Sequence, residues 1–381
     1  MKIVCASSVL QGREAFSTLG EVAVVPERAI TPETVRDADA LITRSKVRVD
    51  ASLLEGSRVA FVGTATAGTD HFALEYLAQR QIHWCAAPGC NANSVAEYVV
   101  AALLALAHRF DMRLAGRKLA LVGAGHVGRR VAEICRAVGV SVLLNDPPLA
   151  AATGEAAYRP LDEILPQADI VSLHVPLTDD GPCPTRGLAD ARFFEKARPG
   201  CIFINASRGE VVDEAILGEA YDHGVVMHGV LDVWDHEPGI NVDLLNRMDI
   251  GTPHVAGYSH EGKLNGTAQV YQEACRFFEV PAKWSPSAGD APHDIRVDAR
   301  ELTDEEVLCE VVRHIYNIET DDFALRVGMR GPPESRSAHF ERLRAQYPVR
   351  REFRNYSLRL DNASARLAIK AGALGFRVEG R

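Results

Sequence analysis

Between Leu119 and Val138 the chain passes from an apolar run, Leu119 to Val122, into Gly123-Ala124-Gly125-His126-Val127-Gly128. A helical pattern follows from Arg129 to Val138. Strand, glycines and helix in that order are what a bound pyrophosphate needs. The first glycine permits a tight turn, the second lets backbone approach phosphate, and the third lets helix and strand pack closely. The amino end of the helix then faces the anion. A second apolar run, Val140 to Leu144, ends in Asn145-Asp146. That places a carboxylate about 20 residues downstream, where the ribose hydroxyls of an adenosine would lie. A carboxylate repels a 2′-phosphate, so Asp146 predicts NAD rather than NADP. Gly123, Gly125, His126, Val127, Gly128 and Asp146 are the expected cofactor contacts.

A chain of 381 residues is too long for one hydrophobic core. Apolar runs at Lys2 to Cys5, Val22 to Val25, Ala40 to Thr43, Val59 to Gly63 and Ile82 to Cys85 read as strands. Segments with helical start signals separate them, at Thr31-Pro32-Glu33 and from Asp70 to Gln79, and such alternation predicts a parallel α/β sheet. The stretch Ser94 to Phe110 is apolar nearly all round and predicts a buried helix at a domain junction. A second series of strands follows near Leu119 to Val122, Val140 to Leu144, Ile170 to Leu173, Cys201 to Asn205, Val225 to Val233 and Asp249 to Gly251. One long helix is expected over Glu261 to Phe278, then a linker over Val280 to Pro292. The remainder reads as a small α/β unit, with helices over Asp304 to Tyr316 and Ser337 to Gln346 and strands at Tyr356 to Leu360 and Gly375 to Glu379.

A net charge of -9 without a Lys/Arg block argues against a nucleic-acid partner. No stretch approaches the roughly 18 apolar residues of a membrane span, and Met1 to Cys5 is too short for a signal segment, so no membrane partner and a cytoplasmic location are expected. The eight cysteines are scattered, mostly in apolar runs, and form no Cys-x-x-Cys pair. Reduced, buried thiols are the expectation, with no metal site.

Three strand ends of the second series carry complementary polar groups. Cys201 to Asn205 runs into Ala206-Ser207-Arg208-Gly209, Val225 to Val233 leads to Glu237-Pro238, and Asp249 to Thr252 leads to Pro253-His254. Open α/β sheets place ligands at such ends. Oxidation of a 2-hydroxy acid removes the hydroxyl proton while a hydride leaves the same carbon. An imidazole, with its ordinary pKa near about 6.5, suits that proton, and a neighbouring carboxylate can fix its tautomer. An arginine offers a forked donor to the substrate carboxylate and carbonyl oxygen. Arg208, Glu237 and His254 are therefore the expected catalytic trio, with His254 as acid/base and Glu237 orienting it.

These motifs, with Ser172-Leu173-His174-Val175-Pro176-Leu177 and Asp232-Val233-Trp234, resemble the D-isomer-specific 2-hydroxyacid dehydrogenases over roughly residues 1 to 280. The resemblance implies a flavodoxin-like substrate domain (1–93 with 258–282) and a Rossmann NAD domain (94–257), both doubly wound parallel sheets. It implies substrate binding by Ser45, Thr66 and Tyr258, and an NAD site lined by Val175, Ala206, Asp232 and Gly257 beside Asp146. Val175 stands where the family commonly has threonine.

Further stretches narrow the resemblance to one branch of the family. They are Gly63 to His71, Pro88-Gly89-Cys90-Asn91-Ala92, Asp146-Pro147-Pro148, His254 to Ser259, Tyr347 to Glu352 and Leu374-Gly375-Phe376. That branch implies a C-terminal α/β dimerisation domain (286–381), a homodimer, and oxidation of 4-phospho-D-erythronate to 2-oxo-3-hydroxy-4-phosphobutanoate on the route to pyridoxal phosphate. The residues themselves agree with a phosphorylated substrate, because Arg44, Ser45 and Lys46 follow a strand end and offer charge and hydroxyl donors. Two other readings remain open at this point. The substrate could be another D-2-hydroxy acid, such as glycerate or phosphoglycerate, or the chain could be an NAD-sensing corepressor-type module.

Overall fold

The computed structural model describes residues 1–287 and 294–379. The chain divides into two compact units, Met1–Asn91 with Tyr258–Asp290 and Ala92–Gly257 with Ala291–Arg381. Part of the expected linker, from residue 288 to 292, lies outside the described residues.

In the first unit the N-terminal apolar runs become strands β1 (Lys2–Ala6), β2 (Glu21–Val25), β3 (Ala40–Thr43), β4 (Phe61–Thr64) and β5 (His83–Cys85). All pair in parallel, in the order β2-β1-β3-β4-β5, which is the flavodoxin-like winding. Residues of β3 and β4 are buried throughout, so their sequences are apolar without alternation. The helix His260–Phe277 closes the sheet, sending Val270, Tyr271, Ala274 and Cys275 into its core. Two glycines allow that approach. A Cβ on Gly63 would strike the Val270 side chain, and one on Gly266 would lie 2.6 Å from the Ala65 carbonyl oxygen. The helix expected from Asp70 begins only at Leu74. Its first residues are taken by a bridge from Phe72 to Val49 and by a turn from the Phe72 amide to the Thr69 carbonyl, 2.8 Å.

The second unit holds β6 (Lys118–Val122), β7 (Ser141–Asn145), β8 (Ile170–Leu173), β9 (Cys201–Asn205), β10 (Val226–Leu231) and β11 (Ile250–Gly251). Their order is β11-β10-β9-β8-β6-β7, all parallel. The winding reverses between β6 and β8, and the carboxyl ends of strands beside such a switch point are where ligands bind. The helix Ala92–Arg109 is buried without a break from Ser94 to Leu104.

What buries that helix comes partly from the C-terminal segment. Its strands β12 (Asp294–Asp298), β13 (Ser357–Asp361) and β14 (Arg377–Glu379) form a small parallel sheet in the order β12-β13-β14. Val307, Val311, Phe353, Leu358 and Leu374 share one hydrophobic cluster with Val99, Leu103 and Leu106. The small third unit expected from the sequence thus has its own sheet but no separate core. Three of its elements were not expected: β12 and the helices Ile318–Met329 and Ala365–Leu374. The β12 segment alternates exposed and half-buried residues over only five positions, too short a pattern beside a polar stretch.

Polar contacts lock the same junction. Glu97 is fully buried and accepts from the Phe353 amide at 2.8 Å and from Asn93 Nδ2 at 2.7 Å. Burial first, and the Glu352 carboxylate second, push its carboxyl well above the usual range. Arg350 lays its guanidinium 4.3 Å from the centre of the Tyr316 ring and donates through Nη2 to the Ser94 side chain and the Ala256 carbonyl. All eight cysteines are free thiols, six of them buried. Burial pushes Cys5, Cys85, Cys135 and Cys201 up to about 12. Among the described residues no helix is long and apolar enough to cross a membrane.

Candidate active site

The glycine loop after β6 has the conformation that its sequence predicts. Gly123 sits at φ +90°, and a Cβ there would press on the His174 carbonyl oxygen at 2.6 Å and on Val175 at 2.9 Å. A Cβ on Gly128 would strike the Gly123 carbonyl, whereas one on Gly125 meets nothing within 4 Å. The third glycine therefore serves packing, and the second borders open space where a phosphate could meet backbone. The helix begins earlier than expected, at His126 with Gly125 as its cap, so its unpaired first amides lie directly at that space. Gly125 and His126 are exposed, while Val127 packs against the core and can offer only its amide.

Asp146 uses both carboxylate oxygens locally. Oδ2 accepts from the Ala124 amide of the glycine loop at 2.8 Å, and Oδ1 caps the helix Pro147–Thr153 through the Leu149 amide at 2.9 Å. Turn formation and a place beside the glycine loop coexist in one residue. These features fit a dinucleotide: open backbone at a helix start, with a carboxylate fixed next to it.

At the end of β8, His174 is half-buried with its ring turned inward, Nε2 2.8 Å from Ser172 Oγ and Nδ1 buried with no partner. Burial drives its imidazole down to about 3. The unfolded chain binds a proton below an ordinary value near 6.5 that the folded chain refuses. Stability present above that pH is therefore lost as the pH falls towards 3. Between pH 7 and pH 5 this one residue is expected to remove about 2 kcal/mol. Urea denaturation at both pH values checks it: His174→Asn should lose less over that interval, and equal losses would exclude the effect.

The β9 end is shaped by Asn205. Its Oδ1 accepts from the Ser207 amide at 3.0 Å and the Ser207 hydroxyl at 2.7 Å, and its Nδ2 donates to the Arg208 carbonyl at 2.8 Å. Arg208 is half-buried and donates through Nη1 to the Ser207 carbonyl at 2.7 Å. Gly209 runs so close to the backbone of Trp234 and Asp235 that a Cβ has no room.

Glu237 and His254 are brought together. Glu237 Oε2 lies 2.8 Å from His254 Nδ1, and Oε1 accepts from the Trp234 amide at 3.0 Å. Burial alone would raise the Glu237 carboxyl. His254, Arg344 and the Trp234 amide together outweigh it and hold the group below the usual carboxylate value. Because Glu237 occupies Nδ1, the favoured tautomer carries its proton there and leaves Nε2 for a reacting group. His254 itself has a left-handed backbone, φ +56°. That conformation costs about 1–3 kcal/mol for a residue other than glycine.

Asp232 holds it there. Its Oδ1 accepts from the Thr252 hydroxyl at 2.6 Å and the Val255 amide at 2.7 Å, and Oδ2 accepts from the Ala256 amide at 2.9 Å. The His254 amide donates to the Asp232 carbonyl at 2.7 Å. The residue expected to line the cofactor is thus first of all the anchor of the histidine loop. Ala206 and Gly257 are half-buried at the ends of their loops.

In the first unit, neighbouring strands deliver the expected substrate residues. Thr43 and Thr64 are paired across β3 and β4, so Arg44-Ser45 and Ala65-Thr66 emerge side by side. Thr66 Oγ1 lies 2.7 Å from Thr64 Oγ1. The Arg44 guanidinium lies 5.6 Å from the Tyr258 ring centre, and its Nε is buried without a hydrogen-bond partner. Lys263 Nζ approaches the same ring to 4.7 Å. Lys263 was missed, although a cation near the amino end of a helix opposes the helix dipole and is itself a signal. Ser45 and Lys46 are exposed beside them. Among the described residues, no cluster of three or more histidine, cysteine or acidic side chains is placed to hold a metal ion.

Residues 97–256 match the family described as D-isomer specific 2-hydroxyacid dehydrogenase, NAD binding domain. Residues 291–373 match a family described only as a domain of unknown function. An erythronate-4-phosphate dehydrogenase of Escherichia fergusonii is 43% identical over 96% of this chain and 96% of its own length. One from Cronobacter sakazakii is 42% identical over 98% of both. Among solved structures, NAD+-bound 3-phosphoglycerate dehydrogenase of Entamoeba histolytica superposes with a TM-score of 0.64 at 25% identity, covering 73% of this chain and 95% of that one. The chain belongs to the erythronate-4-phosphate dehydrogenase family, within the D-isomer-specific 2-hydroxyacid dehydrogenases.

Proposed function

We propose that the chain oxidises 4-phospho-D-erythronate to 2-oxo-3-hydroxy-4-phosphobutanoate with NAD, as a step of pyridoxal phosphate biosynthesis. The observation that carries the chemistry is the 2.8 Å pair of Glu237 with His254 on a loop pinned by Asp232. His254 Nε2 takes the proton of the substrate's 2-hydroxyl, and Glu237 steadies the imidazolium that results. Arg208 pairs with the substrate carboxylate and stabilises charge on the developing carbonyl oxygen. Gly123, Gly125, His126, Val127, Gly128 and Asp146 hold NAD, with Val175, Ala206, Asp232 and Gly257 lining its site; when bound, NAD supplies the acceptor for the hydride.

Arg44, Ser45, Thr66 and Tyr258 bind the phosphorylated end of the substrate. The buried, unpartnered Nε of Arg44 supports this reading, because an anion would satisfy it. In functional terms residues 1–93 with 258–282 form the substrate domain, 94–257 the NAD domain and 286–381 the dimerisation domain of a cytoplasmic homodimer. Arg44→Ala should lower kcat/KM for phosphoerythronate about 10- to 100-fold, the worth of a charge-assisted hydrogen bond. Unphosphorylated erythronate should be affected little. Equal losses on both substrates in the same turnover assay would remove the phosphate from this site.

A further inference from the structure

The helix Pro333–Ala345 lies within the stretch that matches a domain of unknown function, and it carries an arginine to the catalytic carboxylate. Arg344 Nη1 is 3.8 Å from Glu237 Oε2, the oxygen that also meets His254 Nδ1. The two side chains are only 10% and 17% exposed, so solvent screens their attraction weakly. Phe340, one turn earlier, is fully buried in a cluster with Leu244, Leu245 and Trp234, which fixes the helix on this side of the unit. Arg344 also lies 3.9 Å from Glu341 Oε1.

We propose that Arg344 is a positioning residue of the dehydrogenase: beside an ionised Glu237, it offsets part of that carboxylate's hold on a proton at His254. The proposal rests on the roles given above to His254 and Glu237. It gives the C-terminal segment a part in catalysis besides subunit contact. The charged and titratable groups around the pair come from several elements. His254 and Asp232 stand on one side, and Asp235, His236 and Glu214 lie on the approach to Glu237. Arg208 follows β9, and Glu341 and Arg344 complete the set from the helix. His254 and Arg344 both approach the Glu237 carboxylate as cations to within 4.0 Å.

The sign follows from the charge. His254 must be neutral to accept the hydroxyl proton, so oxidation fails on the acid side. Removing a nearby cation favours the imidazolium and carries that failure to higher pH. The test is the pH dependence of kcat/KM for oxidation in full-length Arg344→Gln, Arg344→Lys, Glu341→Gln and His254→Asn.

Arg344→Gln should move the midpoint of the acid limb upward by about 0.5–1 pH unit, and Arg344→Lys by less than half of that. Glu341→Gln, at a partly exposed helix position, should move it slightly downward. An unmoved limb in Arg344→Gln, or an equal shift in Arg344→Lys, overturns the proposal. Should Arg344→Gln fail to fold, the Glu341→Gln profile decides: a downward shift upholds it and no shift overturns it. If His254→Asn keeps the wild-type acid limb, the assignment of the base fails instead, which is a separate result.

Discussion

Replacing His254 with alanine is expected to lower kcat for oxidation about 10²- to 10⁴-fold, the usual worth of a positioned proton acceptor. The loss should fall on kcat rather than on NAD binding, because the glycine loop and Asp146 are built on β6 and β7, on the other side of the sheet's switch point from β10 and β11. Binding of NAD, read by quenching of protein fluorescence, should stay within about twofold, since no contact of that loop is removed. Two circumstances make the histidine hard to replace. Glu237 fixes its ring from Nδ1, and its backbone is held at φ +56° on a loop pinned by the Asp232 carboxylate. An exposed neighbour or water lacks both the orientation and the matching proton affinity. Turnover near that of the wild type would show that another group takes the proton.

Asp232→Ala should do comparable harm by a different route. The buried carboxylate accepts from the Thr252 hydroxyl and from the amides of Val255 and Ala256, and alanine removes that acceptor from all three. Each orphaned buried donor costs about 1–3 kcal/mol. The Thr252 hydroxyl can keep its 2.8 Å contact with Tyr98, so the two amides dominate the loss. A destabilisation of about 3–5 kcal/mol is expected, lowering the unfolding midpoint by about 5 °C. Turnover should fall with it even at temperatures where the variant is folded. Without the Asp232 carboxylate the loop that compensates the left-handed backbone of His254 loses its three side-chain contacts, and a displacement of about 1 Å at a reacting group costs roughly 10²-fold. Asp232→Asn keeps one acceptor and should lie between the two. Calorimetry and initial rates on the same samples separate the effects. A variant that is as stable as the wild type and fully active would deny the anchoring role.

Much of the fold is legible because central parallel strands are buried on both faces. The strands β3, β8 and β9 begin and end where their largely apolar runs do. Segments whose structure depends on distant partners are harder to read. Residues 70–73 have helical composition but are drawn into a bridge with Val49. The helix Ile318–Met329 mixes Asp321, Asp322 and Gly328 into its length, and it acquires meaning only when Asp322 caps the Gly251 amide at 2.7 Å.

The site divides in the same way. Residues at strand ends announce themselves, and Glu237 and His254 meet as their positions suggest. Asp232 enters the sequence reading only through the family resemblance, as a residue lining the cofactor, and its anchoring task is not legible there, because the amides that it receives carry no side-chain signature. Arg344 is invisible to any local reading. Nothing in Pro333 to Ala345 points to a carboxylate so far back along the chain, and the helix has no marked apolar face to betray how it packs.

The order in which the polypeptide emerges during synthesis gives the shared core a temporal meaning. The sheet β1 to β5 is finished only by Val270, Tyr271, Ala274 and Cys275, and the helix Ala92–Arg109 is covered in part by the helix Asp304–Ile315 and by Phe353. A nascent chain that has just completed the glycine loop still exposes apolar surface on both units. Domains usually settle one after another as they leave the ribosome. Here each unit begun early must wait for a distal segment: the first for Val270 to Cys275, and the second for the helix Asp304–Ile315 and Phe353.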